Sequence, residues 1–154
     1  KNANFVILGT GDKSIESALE AVAKRHPKHV ACMLAYNEAM SHKIYAGADF
    51  LLMPSRVEPC GLNQMFAMRY GTLPIVRTTG GLKDSVKDIS EPGGVGIRFD
   101  YMNFDQMMHA IWRAFEMYQH KEYLHHCVKE AMALNYSWDS SAQKYKDIYT
   151  EVLK

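Results

Sequence analysis

Apolar residues in the first two thirds of the chain fall into short runs separated by longer amphipathic stretches. Phe5-Val6-Ile7-Leu8 is a four-residue apolar run closed by Gly9-Thr10-Gly11-Asp12, the pattern of a buried strand and its turn. Ile15, Ala18, Leu19 and Val22 then recur at helical spacing until His26-Pro27 breaks the pattern. Val30 to Ala35 predicts a second strand, and Glu38 to Ala46 a helix that ends at Gly47. Phe50-Leu51-Leu52-Met53, stopped by Pro54, predicts a third strand, and Leu62 to Tyr70 a helix ended by Gly71. Pro74-Ile75-Val76 predicts a fourth strand before Thr78-Thr79-Gly80-Gly81 and a helix starting near Leu82. Val95 to Phe99 predicts the last strand. From Phe104 onward the periodicity is wholly helical. Met108, Ile111, Trp112 and Phe115 mark one helix, Tyr123 to Leu134 a second, and Trp138, Ala142, Tyr145, Tyr149 and Val152 a third with Ser137 as its N-cap. Strands alternating with helices across short glycine-bearing turns predict an α/β fold, a Rossmann-like parallel sheet with helices on both faces and a helical C-terminus.

Composition narrows what such a fold does. Of 154 residues, 47% are hydrophobic and 23% charged, as in a globular domain. Eighteen Lys and Arg against seventeen Asp and Glu leave a net charge of +1, which argues against a nucleic-acid partner, since phosphate backbones are bound by clustered positive charge. No apolar run is long enough for a membrane span. The chain enters an apolar run directly after Lys1-Asn2-Ala3-Asn4, with neither a signal-peptide pattern nor an initiator Met, which predicts a cut inside a longer protein. Cys32, Cys60 and Cys127 are odd in number and far apart, so a reducing, cytoplasmic setting is expected rather than a disulfide framework. Seven histidines lack metal-ligand spacing, and no metal or cofactor is expected. The methionines Met102, Met107, Met108 and Met117 read as adaptable packing.

Ligands of open parallel sheets bind outside the carboxyl ends of the strands. Two segments in that position carry chemistry: Pro54-Ser55-Arg56-Val57-Glu58-Pro59-Cys60-Gly61-Leu62 after the third strand, and Thr78-Thr79-Gly80-Gly81-Leu82 after the fourth. Both open into helices, whose unpaired N–H groups and partial positive charge suit a nucleotide diphosphate without many lysines. Glu58 places a carboxylate in the crevice, with Pro59 and Gly61 fixing the backbone around it. Cys60 fits either a reactive thiol at a helix N-terminus or a pocket wall. Gly9-x-Gly11 lacks the third glycine of a dinucleotide fingerprint, because position 14 is Ser, and reads as a turn.

The segments Ala48 to Gln64, Ala67 to Val76 and Thr79 to Val86 closely resemble bacterial glycogen synthases and plant starch synthases. The match takes in Glu58-Pro59-Cys60-Gly61-Leu62 and Arg69-Tyr70-Gly71-Thr72, with Leu8 to Asp12 early and Ser137-Trp138…Ala142…Tyr145 late. The resemblance implies the C-terminal, nucleotide-sugar-binding half of a two-domain GT-B glycosyltransferase. Residues 1–154 would be part of that domain, with the acceptor-side N-terminal domain missing. The implied reaction moves glucose from ADP-glucose to the non-reducing end of an α-1,4-glucan, with retention and without a metal. Glu58 then matches the family's active-site glutamate, and Cys60, Gly61 and Leu62 the sugar and phosphate pocket. Tyr36 matches the tyrosine that stacks on adenine. Thr79, Gly80 and Gly81 would line the donor. Alternatives are a sister enzyme using UDP-glucose or another acceptor, and a non-catalytic module that binds nucleotide or glucan.

Three departures qualify the resemblance. Phe66 stands where many related transferases carry a second glutamate, as is usual in the glycogen synthase branch. Val57 replaces a more usual Phe, read as a packing change. The family's basic pair that clamps the distal phosphate would precede Lys1, on the domain's first strand–loop–helix. That strand is central in the order 3-2-1-4-5-6. Its absence predicts no regular six-stranded sheet in this chain, and a gap closed by direct pairing, a swapped strand or a separate piece.

Overall fold

The computed structural model describes residues 3–153. Its elements run β1 (Phe5–Leu8), α1 (Lys13–Arg25), β2 (Val30–Met33), α2 (Glu38–Gly47), β3 (Phe50–Met53), α3 (Asn63–Tyr70), β4 (Leu73–Arg77), α4 (Gly80–Ser85), β5 (Ile97–Phe99), α5 (Phe104–Gln119), α6 (Lys121–Ala133) and α7 (Trp138–Val152). Every strand and helix expected from periodicity is present. β2 ends two residues earlier than expected, at Met33, and β5 starts two residues later, at Ile97. α4 starts earlier, at Gly80. Ser137 occupies the N-cap of α7 as expected, but its side chain makes no capping hydrogen bond.

Among the described residues all ladders are parallel and fall into two sheets, β1-β2 and β3-β4-β5. As expected, no six-stranded sheet forms among the described residues.

The chain divides into two units, one ending at Gly47 and one beginning at Ala48. In the first, β1 pairs with β2 in the register Phe5↔Val30 to Leu8↔Met33. Asp12 caps α1 by accepting from the Ser14 and Ile15 amides. The Gly11 N–H is taken by Glu16 Oε1 at 2.9 Å. A helix N-terminus already holding two carboxylates is closed to an anion, so Gly9-x-Gly11 is an irregular strand-to-helix connection here and not a phosphate cradle.

The second unit carries both apolar clusters. Met53, Met68, Leu73, Val76, Leu82, Val86 and Val95 pack with Met117, Leu124, Cys127 and Ala131. Ile75, Ile97 and Phe99 pack with Ala110 and Ala114. β4 is buried along Leu73–Val76, as a central parallel strand must be. Burial also pushes the Cys127 thiol pKa up, which suits a packing role. Of the methionine stripe, Met117 is in the core but Met102 is exposed, so packing accounts for only part of it. Beside the core, Asp88 accepts both Arg113 guanidinium nitrogens, at 2.6 and 3.1 Å, and the Arg98 N–H at 2.6 Å. Burial raises its pKa, but these donors and Ser90 outweigh burial and hold the carboxyl well below the usual range. This knot ties β5 and α5 to the loop after α4.

Candidate functional site

Parallel pairing of β3 with β4, Met53 opposite Val76, brings the two glycine-bearing segments out at the same sheet edge. The loop from Pro54 to Leu62 then meets the Thr78–Gly81 turn backbone to backbone. Gly81 N donates to Glu58 O at 3.0 Å. A Cβ at Gly80 would sit 2.0 Å from Glu58 O, and one at Gly81 2.0 Å from Cys60 O. Both glycines are therefore required by close approach, and Gly80 also by its positive φ of 45°. Gly61 adopts φ 74°, and a Cβ there would meet Gln64 Oε1 at 2.6 Å and Glu58 Cγ at 3.1 Å.

Glu58 is half-buried, and its Oε2 accepts from Ser55 Oγ at 3.4 Å. The segment leading to it is pinned from β4: Arg77 Nε donates to Ser55 O at 2.7 Å, and Nη2 to Arg56 O at 2.5 Å. Cys60 and Leu62 are exposed beside it. Leu62 is the N-cap of α3 and offers no side-chain cap, which leaves the first-turn amides of α3 without a side-chain partner. Thr79 is the N-cap of α4, likewise without a side-chain cap. Glu58, Cys60, Gly61, Leu62, Thr79, Gly80 and Gly81 thus form one cluster. Tyr36 belongs to the first unit, where it is 86% exposed just beyond β2. Val57 is 78% exposed, so its replacement of a bulkier residue is a surface change and not the packing change expected from sequence.

Three side chains that organise this cluster were not singled out from sequence: Arg77, Gln64 and Ser85. Gln64 is completely buried. Its Nε2 lies 3.0 Å from Gly61 O, 3.0 Å from Ser85 Oγ and 3.4 Å from Cys60 O. Two carbonyl acceptors fix which end of the amide is nitrogen. Its Oε1 is buried with no hydrogen-bond partner among the described residues, at a cost of about 1–3 kcal/mol. One signal was present in the sequence. Gln64, Ala67 and Met68 lie on a single helical stripe, and a polar residue on a core stripe marks a built contact.

Arranged this way, the edge presents a carboxylate, a thiol and uncapped amides around two turns whose glycines let a ligand approach the backbone. Comparison with known proteins agrees. Residues 1–133 match the family model described as "Glycosyl transferases group 1". The chain is 44% identical over 156 aligned positions to a glycogen synthase of Bacillus cereus, covering all of this chain and 33% of that protein. It is similar to the catalytic domain of starch synthase IV from Arabidopsis thaliana bound to ADP and acarbose, with a TM-score of 0.83 and 31% identity over 98% of this chain and 38% of that one. The fold extends to Anabaena HepE in complex with UDP-glucose, with a TM-score of 0.67 and 17% identity, over 84% of this chain and 35% of that one. The chain spans about a third of the length of the curated relatives it matches. Strand order, the paired turns and a family match running from the first strand to the end of α6 converge: the chain belongs to the group 1 glycosyl transferases.

Proposed function

We propose that this chain is the nucleotide-sugar-binding part of a glycogen or starch synthase. The reaction is transfer of glucose from ADP-glucose to the non-reducing end of an α-1,4-glucan, with retention of anomeric configuration, in the cytoplasm. The observation that carries the reading is the contact between the Glu58–Gly61 and Thr79–Gly81 turns. It puts one carboxylate and one uncapped helix N-terminus at the edge where parallel sheets hold their ligands. The 44% identity to glycogen synthases supports the substrate class.

Glucosyl transfer builds positive charge on the sugar and negative charge on the departing diphosphate. Amides of Gly61, Leu62 and the first turn of α3 oppose the negative charge as fixed dipoles. Glu58 orients the donor glucose and opposes the positive charge. Cys60, Thr79, Gly80 and Gly81 form the wall of the sugar and phosphate pocket, and Tyr36 stacks on adenine. A basic clamp on the distal phosphate comes from the strand–loop–helix that precedes Lys1 in this same domain, and the acceptor side of the site from an N-terminal domain in the same polypeptide.

In the complete enzyme, Glu58→Gln lowers kcat by about 100-fold or more while leaving ADP affinity within about threefold. Unchanged turnover refutes the role of Glu58. Competition between ADP-glucose and UDP-glucose tests the donor: a preference for UDP-glucose replaces this reading with the sister enzyme. The isolated chain elongates no glucan and binds ADP weakly; substantial elongation by it contradicts the proposed division of labour.

A further inference from the structure

We propose that Gln64 and Ser85 are positioning residues that hold the two turns of the site at one fixed separation; this rests on the glucosyl-transfer reading. Gln64 Nε2 has two hydrogens and two partners at 3.0 Å, Gly61 O on its own loop and Ser85 Oγ on α4. Ser85 Oγ passes the link on, donating to Gly81 O at 2.6 Å. The result is a closed path, Gly61 O to Gln64 to Ser85 to Gly81 O, bridging the same two turns that the Gly81–Glu58 backbone bond joins directly. Ser85 is anchored in turn: Tyr136 Oη donates to Ser85 O at 2.8 Å from the segment that follows α6.

Stability alone does not account for Gln64. The site is fully buried, and methionine has nearly the same volume and shape without an orphaned oxygen. What methionine lacks is the N–H₂ fork. By donating to Gly61 O from a fully buried position, the fork holds that carbonyl toward the core, beside the half-buried Glu58. With the fork gone, the two turns keep the Gly81–Glu58 backbone bond and the Arg77 contacts to Ser55 and Arg56, but lose their side-chain bridge from the core side.

The test uses the complete enzyme and compares Gln64→Met, Ser85→Ala, Glu58→Gln and the two double variants containing Glu58→Gln. The expected result for each of the first two is a kcat lowered about 10–100-fold with donor KM within about threefold, as misplacement of a reacting group produces. In the Glu58→Gln background the same changes should cost clearly less than in the wild type, because the part of each loss that comes from a misplaced Glu58 is already gone. Losses that multiply overturn the proposal, since a merely structural residue acts independently of Glu58. Wild-type kcat in Gln64→Met and Ser85→Ala beside an impaired Glu58→Gln also overturns it. If Gln64→Met fails to fold, Ser85→Ala carries the comparison, as it removes one hydroxyl from a half-buried residue. Wild-type turnover in Glu58→Gln overturns the underlying reading instead, so the two failures are distinct.

Discussion

Single atoms decide much at this sheet edge. A methyl group on Gly81 would lie 2.0 Å from Cys60 O, a backbone atom that cannot rotate away, so Gly81→Ala should destabilise the chain by about 3 kcal/mol in urea unfolding. Gly47 meets nothing within 4 Å, and Gly47→Ala should leave stability unchanged or raise it by about 0.5 kcal/mol. Asp88 sets the acid limit. Its carboxyl titrates below its ordinary 3.8 when folded, so the unfolded chain takes up the proton first and stability falls as pH drops below about 4. Asp88→Asn should flatten that acid-side loss while lowering stability at neutral pH by roughly 3 kcal/mol, because Arg113 loses its counter-charge; parallel pH profiles of melting temperature would contradict this. The residues that the two turns bring together were legible in the sequence because glycine, proline and a lone glutamate at a strand end have few other uses. Arg77 and Ser85 were not, since a basic residue ending a strand and a serine ending a short helix are everyday choices until the fold shows what they touch.

Elements were read well where periodicity is enforced by burial and less well at their ends. β4, buried on both faces, is unmistakable as Pro74-Ile75-Val76, whereas β5 begins at Ile97 rather than Val95 because Gly94, Val95 and Gly96 serve the loop instead: Gly94 N donates to Glu91 O and Gly96 N to Lys87 O. α7 shows a clear apolar stripe in sequence, yet none of its residues is buried, and Trp138 is 84% exposed. Periodicity reports that a face is apolar; it does not report what covers it. The match to the transferase family model stops at residue 133, before α7 begins. Truncation after Ser137 should accordingly shift the thermal midpoint of the remaining fold by less than about 2 °C, read by circular dichroism. A larger fall would mean that α7 contributes to the core.

Across the molecule, burial is unevenly shared. Both apolar clusters lie beyond Ala48, while within residues 3–47 only Glu16 and Tyr45 are buried. Amides of Val6, Ile7, Ala31 and Cys32 should therefore exchange with deuterium faster than those of Ile75, Val76 and Ile97, and equal protection would contradict the assignment of the core. The alternation of strands and helices was enough to foresee parallel ladders, because parallel pairing and crossover handedness leave few topologies. The contact between the two turns was not foreseeable, since it depends on how β3 and β4 are aligned across some twenty intervening residues. That alignment sets the size of the unit that can be moved between proteins. Transplanting Glu58 to Leu62, or Thr79 to Leu82, would carry half a joint. The smallest portable cassette runs from Met53 to Ser85, with both strand ends, both turns and the helix that links them travelling as one inheritance.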